Sequence, residues 1–274
     1  MKWDARGEKR MKPAALFYDI DGTLYSEIEN VVPESAFEAL KKAKENGHYL
    51  FINTGRTYCS MPSPIKRFPF DGYICGCGTY AEYKDEVLYS STLSVERSQA
   101  IIKKMEECKI DGIFEGIEDD YFPIRVSRFD KLENTRRYFR NMGIGIEMFA
   151  GKDQFAYDKL FVYTDEQSDV KGFLEFLEQE EMEAIDRQYG TYEIMPIGHS
   201  KATGCEIIRK HLHLDLDQIY VFGDSSNDLP MMEYTSHAIV MGHHDPILDP
   251  CAQIVTKTVE EDGIQYAMKE LGLI

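Results

Sequence analysis

The stretch Ala14-Ala-Leu-Phe-Tyr-Asp-Ile-Asp-Gly-Thr-Leu24 decides the fold of this chain. Its first half is a short apolar run that ends abruptly at Asp19. Such a run, closed by a polar turn, is typical of a strand buried on both faces of a parallel sheet. Asp19 and Asp21 would then share the open end of that strand, where like charges repel each other. A divalent cation would neutralise them, and Mg²⁺ prefers hard oxygen ligands of this kind.

Strands and helices alternate on both sides of a long central segment. Strands that alternate with helices predict a doubly wound parallel α/β sheet, whose strands all end along one edge. The predicted strands are 14–18, 49–52, 73–75, 219–222, 238–241 and 253–256, and the predicted helices are 33–47, 204–213 and 264–271.

The central segment, residues 84–192, follows a different pattern. It contains helix-like stretches at 94–108 and 169–179 and a strand-like stretch at 155–163, which indicates a mixed α+β insert of about 110 residues. We therefore expect a discontinuous core domain formed by residues 11–83 and 193–274, interrupted by a separate domain at 84–192. Residues 1–10 are polar and lack an apolar signal-peptide region, and we expect a tail there.

Composition narrows the class of protein. The 274 residues include 31 Lys and Arg and 48 Asp and Glu, so the formal net charge is 31 − 48 = −17. This charge disfavours non-specific binding to nucleic acid or to anionic lipid, but it leaves room for a small anionic substrate in a positive pocket. No apolar run is long enough for a membrane span. The six cysteines form neither a zinc pattern nor a disulfide framework, so we expect a cytoplasmic protein.

Three further motifs follow the first in the order of the chain. They are Asn53-Thr-Gly-Arg56 after a predicted strand, Gly198-His-Ser-Lys201 before a predicted helix, and Gly223-Asp-Ser-Ser-Asn-Asp228 after another strand. Alone, each has an ordinary explanation: a helix N-cap, a solvated lysine and a polar turn. Their common order and their placement at the ends of elements instead favour one site.

With these motifs the chain resembles the haloacid dehalogenase (HAD) superfamily of aspartyl phosphotransferases. The insert lies between the second and third motifs, which is the position of a type-II (C2B) cap domain, and the Gly-Asp-x-x-Asn-Asp motif is similar to that of the Cof-like branch. The resemblance covers residues 14–81 and 195–274 and implies a Rossmann-like HAD core. Within the insert it rests on position and length alone.

The roles of the site residues follow from the resemblance and from the chemistry of phosphoryl transfer, which requires charge neutralisation around the phosphate. Asp19 is the expected nucleophile, and Asp21 is the expected general acid and base. In the family, the backbone carbonyl of the residue at the position of Asp21 also contacts the metal. The expected metal residues are Asp19, Asp21, Asp224 and Asp228, and the expected phosphate-binding residues are Thr54, Gly55, Lys201 and Asn227.

The sequence departs from the family at Cys77, where Cof-like relatives usually carry Asn. A tight Gly-rich turn with a buried thiol would explain it, and an altered contact to the substrate is the sharper hypothesis. Arg56 follows the phosphate-binding motif and is a second candidate substrate residue, for another phosphate or a carboxylate. Candidate contacts within the insert are Arg125, Arg128, Lys131 and Tyr157.

These features together predict a Mg²⁺-dependent phosphatase that acts on a small phosphorylated metabolite through an aspartyl phosphate. The resemblance implies a sugar phosphate, a polyol phosphate or a phosphorylated cofactor as substrate. Two alternatives remain open at this point. One is phosphomutase-type transfer between sugar positions, and the other is a catalytically silent regulatory or binding protein of the same fold.

Overall fold

The computed structural model describes residues 12–146 and 155–274, so the expected tail at 1–10 lies outside the described residues. The chain divides into two compact units. The first contains the described residues up to Gly55, together with Pro62–Leu88 and Ser200–Ile274. The second contains Arg56–Met61 and the described part of Tyr89–His199. The short segment Arg56–Met61 thus groups with the insert, although the sequence placed it in the core domain.

The elements are numbered along the chain. The strands are β1 (Ala15–Tyr18), β2 (Tyr49–Asn53), β3 (Gly72–Cys75), β4 (Tyr80–Tyr83), β5 (Glu86–Ser90), β6 (Asp111–Glu115), β7 (Asp120–Tyr121), β8 (Lys159–Tyr163), β9 (Met182–Asp186), β10 (Thr191–Pro196), β11 (Ile219–Gly223), β12 (Ala238–Val240) and β13 (Ile254–Val255). The α-helices are α1 (Glu34–Glu45), α2 (Ser63–Arg67), α3 (Val95–Glu107), α4 (Asp130–Asn141), α5 (Val170–Gln179), α6 (Lys201–His211), α7 (Leu229–Tyr234) and α8 (Gly263–Glu270).

The large sheet has the strand order β13-β12-β11-β1-β2-β3-β4-β5. The six strands from β13 to β3 are parallel, and β4 pairs antiparallel with β3. The predicted doubly wound α/β fold is therefore confirmed. The sequence did not predict β4 and β5, because the largely exposed residues of β5 carry no run of buried apolar side chains.

The register of the central strands brings three motifs to one edge of the sheet. Tyr18, the last residue of β1, lies opposite Ile52 of β2 and Phe222 of β11. The Asp19 N–H also donates to the Phe222 carbonyl oxygen at 3.0 Å, so the parallel ladder continues one residue beyond β1. Polar residues that follow these strands must consequently emerge side by side.

Successive side chains of β1 pack on opposite faces of this sheet. Phe17 stacks on Phe51 with ring centroids 5.1 Å apart, within a cluster that includes Ile208 of α6. The Tyr18 hydroxyl instead donates to the sulfur of Met268 in α8 at 3.4 Å, where α8 packs against α1. Helices on both faces explain why β1 is apolar throughout.

The second unit is built on an antiparallel sheet of order β7-β6-β8-β10-β9. One apolar cluster joins the sheet to α3 and α5, and it includes the fully buried Tyr157. A smaller cluster, with Phe122 and Leu132, packs Phe161 and Tyr163 of β8 towards α4. Across 12–146 and 155–274, no helix is long and apolar enough to cross a membrane.

Candidate active site

A fully buried lysine organises the edge of the sheet where the motifs meet. The Lys201 Nζ donates to Asp19 Oδ1 and to Asp228 Oδ1, at 2.6 Å in each case. Lys201 and Asp228 are completely inaccessible, and Asp19 is 5% exposed. A buried ammonium is tolerated only when it is paired, and here two carboxylates pair it. The structure thus brings together residues that are separated by 182 positions in the sequence.

Lys201 lies at this edge of the sheet because it is the first residue of α6. The Ser200 side chain accepts from the Thr203 N–H, and the Thr203 hydroxyl accepts from the Ser200 N–H, which forms a capping box at the helix start. The Asn53 Nδ2 donates to the Lys201 carbonyl oxygen at 2.9 Å, so the end of β2 is tied to the first turn of α6. No role for Asn53 beyond its place in the motif was predicted from the sequence, although Asn53 directly precedes Thr54.

Asp228 uses both carboxylate oxygens within the protein. Its Oδ1 accepts from Lys201, and its Oδ2 accepts from the backbone N–H groups of Asp224 and Ser225, both at 2.9 Å. Asp228 therefore fixes the loop that follows β11 and at the same time orients the lysine. The Ser225 hydroxyl donates to Asn227 Oδ1 at 2.8 Å and holds the side chain of Asn227 in the same loop.

Asp224 is held from the opposite side by the first motif. The Thr23 hydroxyl donates to Asp224 Oδ1 at 2.8 Å. Gly22 has a φ of +74°, and a Cβ there would lie 2.4 Å from Asp224 Oδ2, so only glycine fits this close approach. The sequence analysis missed the role of Thr23. Its position in Asp-Ile-Asp-Gly-Thr was the available signal.

Burial and the neighbouring charges shift the pKa values of the side chains in this cluster. Burial raises the pKa of Asp19 well above its usual value, with further increases from Asp228 and Asp224 that Lys201 opposes. Burial also raises the pKa of Asp224, to about 7, with Asp228 adding to the effect. Burial alone would lower the pKa of Lys201, but its two carboxylate partners outweigh burial and raise it, so its ammonium stays charged.

Asp19, Asp224 and Asp228 form a donor set suited to a divalent metal ion. One carboxylate oxygen from each lies within 4.8 Å of the others. Three carboxylates against the single charge of Lys201 leave a formal charge of −2, and hard divalent cations bind carboxylate oxygens with such an excess of negative charge. The Asp21 carboxylate does not belong to this group within the described residues, so its predicted part in metal binding stays a prediction.

Two of the predicted phosphate-binding residues also lie together, namely Gly55, which follows β2, and Asn227, which follows β11. A Cβ on Gly55 would lie 3.3 Å from Asn227 Nδ2 and 3.4 Å from Cys77 Sγ. The Cys77 N–H donates to the Thr54 carbonyl oxygen at 3.0 Å, and Cys77 has a left-handed φ of 54°. The side chains of Asn227 and Cys77 therefore flank the backbone at Gly55.

The other candidate substrate residues belong to the second unit. Arg56 donates from Nη1 to the Ser60 carbonyl oxygen at 3.0 Å. Three of the insert candidates engage other residues of that unit: Arg125 pairs with Asp111, Arg128 pairs with Asp165, and Lys131 lies over the ring of Tyr189. Tyr157 is not available as a substrate contact, because it stacks on Phe155 inside the apolar core.

Comparison with known proteins identifies the family. The family model described as haloacid dehalogenase-like hydrolase matches residues 16–268. "Putative phosphatase YkrA" of Bacillus subtilis (strain 168) is 30% identical over 265 residues, which covers 96% of this chain and 100% of the relative. "5-amino-6-(5-phospho-D-ribitylamino)uracil phosphatase YitU" of the same organism is 25% identical and covers 94% of this chain and 97% of the relative.

A solved phosphatase structure of the same superfamily has a similar fold. The HAD subclass IIB sugar phosphatase BT4131 has a TM-score of 0.76 to this chain at 25% identity, covering 95% of this chain and 100% of its own. The fold and the buried carboxylate–lysine cluster thus define a hydrolase of the phosphatase class. The chain belongs to the haloacid dehalogenase-like hydrolases, and within them to the Cof-like group.

Proposed function

We propose that this protein is a Mg²⁺-dependent phosphatase that hydrolyses a small phosphorylated metabolite through an aspartyl phosphate on Asp19. The observation that carries this proposal is the bridge of Lys201 between Asp19 and Asp228, with Asp224 beside them. A buried nucleophile paired with a permanent cation, at the carboxyl edge of a parallel sheet, suits the attack of a carboxylate on an anionic ester.

Each of these residues would have a separate role in the reaction. An Asp19 carboxylate oxygen attacks phosphorus, the ester P–O bond breaks, and Asp21 gives its proton to the departing alkoxide oxygen. Asp21 then takes a proton from the water that attacks phosphorus, the bond between Asp19 and phosphorus breaks, and inorganic phosphate leaves. Lys201, Thr54 and the backbone N–H of Gly55 hold the phosphoryl oxygens during both steps.

The carboxylates Asp19, Asp224 and Asp228 would hold the metal, with Asp21 contributing its backbone carbonyl. Mg²⁺ bound there would supply positive charge that neutralises the phosphoryl oxygens and favours the ionised form of Asp19. Asn227 orients the phosphate, and Asp228, besides its part in holding the metal, fixes the loop after β11 and orients Lys201.

The substrate class rests on the relatives. YitU is named for a phosphorylated ribityl compound and BT4131 for sugar phosphates. We propose a sugar phosphate, a polyol phosphate or a phosphorylated cofactor for this chain, with the second unit acting as the type-II cap that selects the leaving group. We also propose a cytoplasmic location, supported by six cysteines that are free thiols.

The test is release of phosphate from a chromogenic phosphate ester in the presence of Mg²⁺. We expect turnover by the wild type, none with EDTA, and none for Asp19→Asn. Asp217→Asn, the same change at an exposed carboxylate of the first unit, is the matched control and should retain the full rate. If Asp19→Asn is as active as this control, the proposal is wrong. Dependence on an added sugar bisphosphate would favour the phosphomutase alternative.

A further inference from the structure

The second unit contains a cavity of about 440 Å³ beside α3. Its lining is mainly apolar: Met105 comes from α3, Phe114 from β6, Ile110 from the turn before β6, and Ile124 from the loop after β7. The first three side chains are buried, whereas Ile124 is 66% exposed. The cavity therefore has a buried apolar floor and a rim that reaches solvent, and its volume suits a small organic molecule.

This cavity lies on the face of the antiparallel sheet that α3 covers. Phe114 belongs to the cluster that joins the sheet to α3, whereas Ile113 belongs to the cluster towards α4. Because side chains alternate along a strand, Glu115 shares the face of Ile113. Asp120 lies opposite Glu115 and accepts from the Thr57 hydroxyl. The segment that follows the phosphate-binding motif thus contacts the opposite face, away from the cavity.

Side chains of opposite charge occupy two different walls of the cavity. Glu106 lies on α3 four residues after Ile102, so both side chains line the same wall. Arg125 lies next to Ile124 on the wall formed by the loop after β7. Glu106 is exposed, and the side chain of Arg125 is 57% exposed, so both charged groups are accessible from solvent. An apolar floor between a carboxylate and a guanidinium is complementary to a dipolar molecule with an apolar body.

Two neighbours hold Arg125 in place. Its Nη1 donates to Asp111 Oδ2 at 3.1 Å, and its Nη2 donates to Asp111 Oδ1. Arg136 Nη2 donates to the Arg125 carbonyl oxygen at 3.2 Å. A guanidinium has five N–H donors, so the pair with Asp111 leaves donors for a second carboxylate. A side chain that is already ordered loses little entropy when it binds.

The charges around Arg125 favour an anionic group at this wall. Burial lowers the pKa of Arg136; Glu133 and Asp111 oppose this decrease, and Arg140 and Arg125 add to it, so all four side chains face Arg136. Three guanidinium groups against two carboxylates leave a formal charge of 3 − 2 = +1. A carboxylate of a bound molecule is therefore favoured at this wall, and an ammonium is favoured at the wall of Glu106.

We infer that this cavity binds an apolar α-amino acid, with its carboxylate on Arg125, its ammonium on Glu106 and its side chain over the apolar floor. A monocarboxylate or an amine of the same size would leave one of the two charged groups without a partner. Among the described residues, none that lines the cavity belongs to the candidate active site. The inference is therefore independent of the proposed phosphatase function, and the bound amino acid is a ligand separate from the phosphorylated substrate.

Calorimetric titration of the whole protein tests the inference with L-leucine, L-methionine and L-phenylalanine. We expect at least one of them to bind with a Kd below about 1 mM. The tightest is then compared with its two analogues that lack the ammonium or the carboxylate, which for L-phenylalanine are 3-phenylpropanoate and 2-phenylethylamine. We expect each analogue to bind about five-fold or more weakly, because it makes only one of the two charged contacts.

Glu106→Gln and Arg125→Gln should each weaken binding of the amino acid by about five-fold or more. Glu107→Gln, at a 54% exposed side chain of the same helix, and Arg137→Gln, at an exposed residue of α4, are the matched controls and should bind as the wild type does. Arg125→Gln leaves Asp111 without its cation, so urea unfolding checks that this variant is folded. Glu106→Gln changes an exposed residue and tests the inference independently of that check.

The inference is overturned if none of the three amino acids binds at 10-fold above the expected Kd limit, or if both variants bind as their controls do. Equal binding of a singly charged analogue also overturns it. N-acetyl-L-phenylalaninamide is the neutral probe: if it binds as tightly as the amino acid, the cavity takes an apolar peptide instead. These titrations do not depend on phosphate release, so failure of this inference and failure of the proposed function are distinguishable.

Discussion

At the scale of single residues, Lys201 decides the charge balance of the candidate active site. Its ammonium is the only side-chain cation within hydrogen-bond distance of Asp19 and Asp228 among the described residues. Two consequences follow from its complete burial. Water has no access to the position of the ammonium and cannot solvate the carboxylates in its place. Removal of the lysine would therefore leave two carboxylates facing each other without a counter-charge.

Replacing Lys201 by Met should abolish turnover and lower the free energy of unfolding by about 3–5 kcal/mol, as expected when one partner of a buried ion pair is removed. Urea unfolding and phosphate release measure the two effects. Lys210→Met is the matched control on the same helix, because the side chain of Lys210 is 70% exposed. Equal stability and activity of the two variants would contradict this account of the cluster.

Cys77 is the residue at which substrate preference can be tested. It holds a left-handed backbone conformation, which Asn adopts more readily than most residues, and its thiol lies beside Gly55. Cys77→Asn should therefore fold and shift the relative kcat/KM values across a panel of sugar and polyol phosphates. Cys77→Ser controls for loss of the thiol alone. An unchanged panel for Cys77→Asn removes the hypothesis that this position affects specificity.

At the scale of elements, the close approach of α6 to the sheet positions Lys201. A Cβ on Gly204 would lie only 2.3 Å from Ile74 Cγ2 of β3, so the glycine is what allows the helix to pack there. The Ser200–Thr203 capping box fixes where the helix starts, and therefore which residue occupies its first turn.

Gly204→Ala should cost about 1–3 kcal/mol of stability through overpacking and should lower kcat by displacing the first turn of α6. Ile74→Ala removes the atom with which the new methyl group collides. In a double-mutant cycle, the two changes together should cost less than the sum of the single changes, as measured by urea unfolding. Strict additivity would show that this contact does not set the position of the helix.

The strands and helices of the first unit were easier to predict from the sequence than the contacts between side chains that are distant in the chain. The sequence predicts β1 and the motifs at the strand ends because a strand buried on both faces has a continuous run of apolar residues. The contact of Thr23 with Asp224, 201 positions away, and the pairing of Glu115 with Asp120 and Lys159 depend on tertiary register, which has no local signal. Tyr157 shows the opposite difference, because it is a predicted substrate contact that the structure places in the apolar core.

At the scale of the whole molecule, the buried ion pairs of the second unit tie its stability to pH. Burial alone would raise the pKa of Glu193, but Lys159 and Arg187 outweigh burial and lower it to about 2. A lowered pKa in the folded state means that this side chain stabilises the fold above its unfolded value of about 4.5. That contribution is lost as the pH falls through about 2.

Glu193→Gln should therefore lower the free energy of unfolding by about 3 kcal/mol at pH 7. The difference from the wild type should shrink steadily as the pH falls below about 4.5, because the wild-type carboxylate is then being protonated in the unfolded state. Urea unfolding at a series of pH values measures both effects. A difference that does not change with pH would show that the ion pairs of Glu193 do not contribute as described.

The proposed mechanism requires that Asp19 accepts the phosphoryl group. The most direct measurement is rapid acid quenching of the enzyme during turnover, followed by mass spectrometry of its peptides. We expect one phosphoryl group on Asp19 of the wild type, which is lost on treatment with hydroxylamine and is absent from Asp19→Asn. Turnover without any phosphorylated Asp19, or a phosphoryl group on another residue, would contradict it.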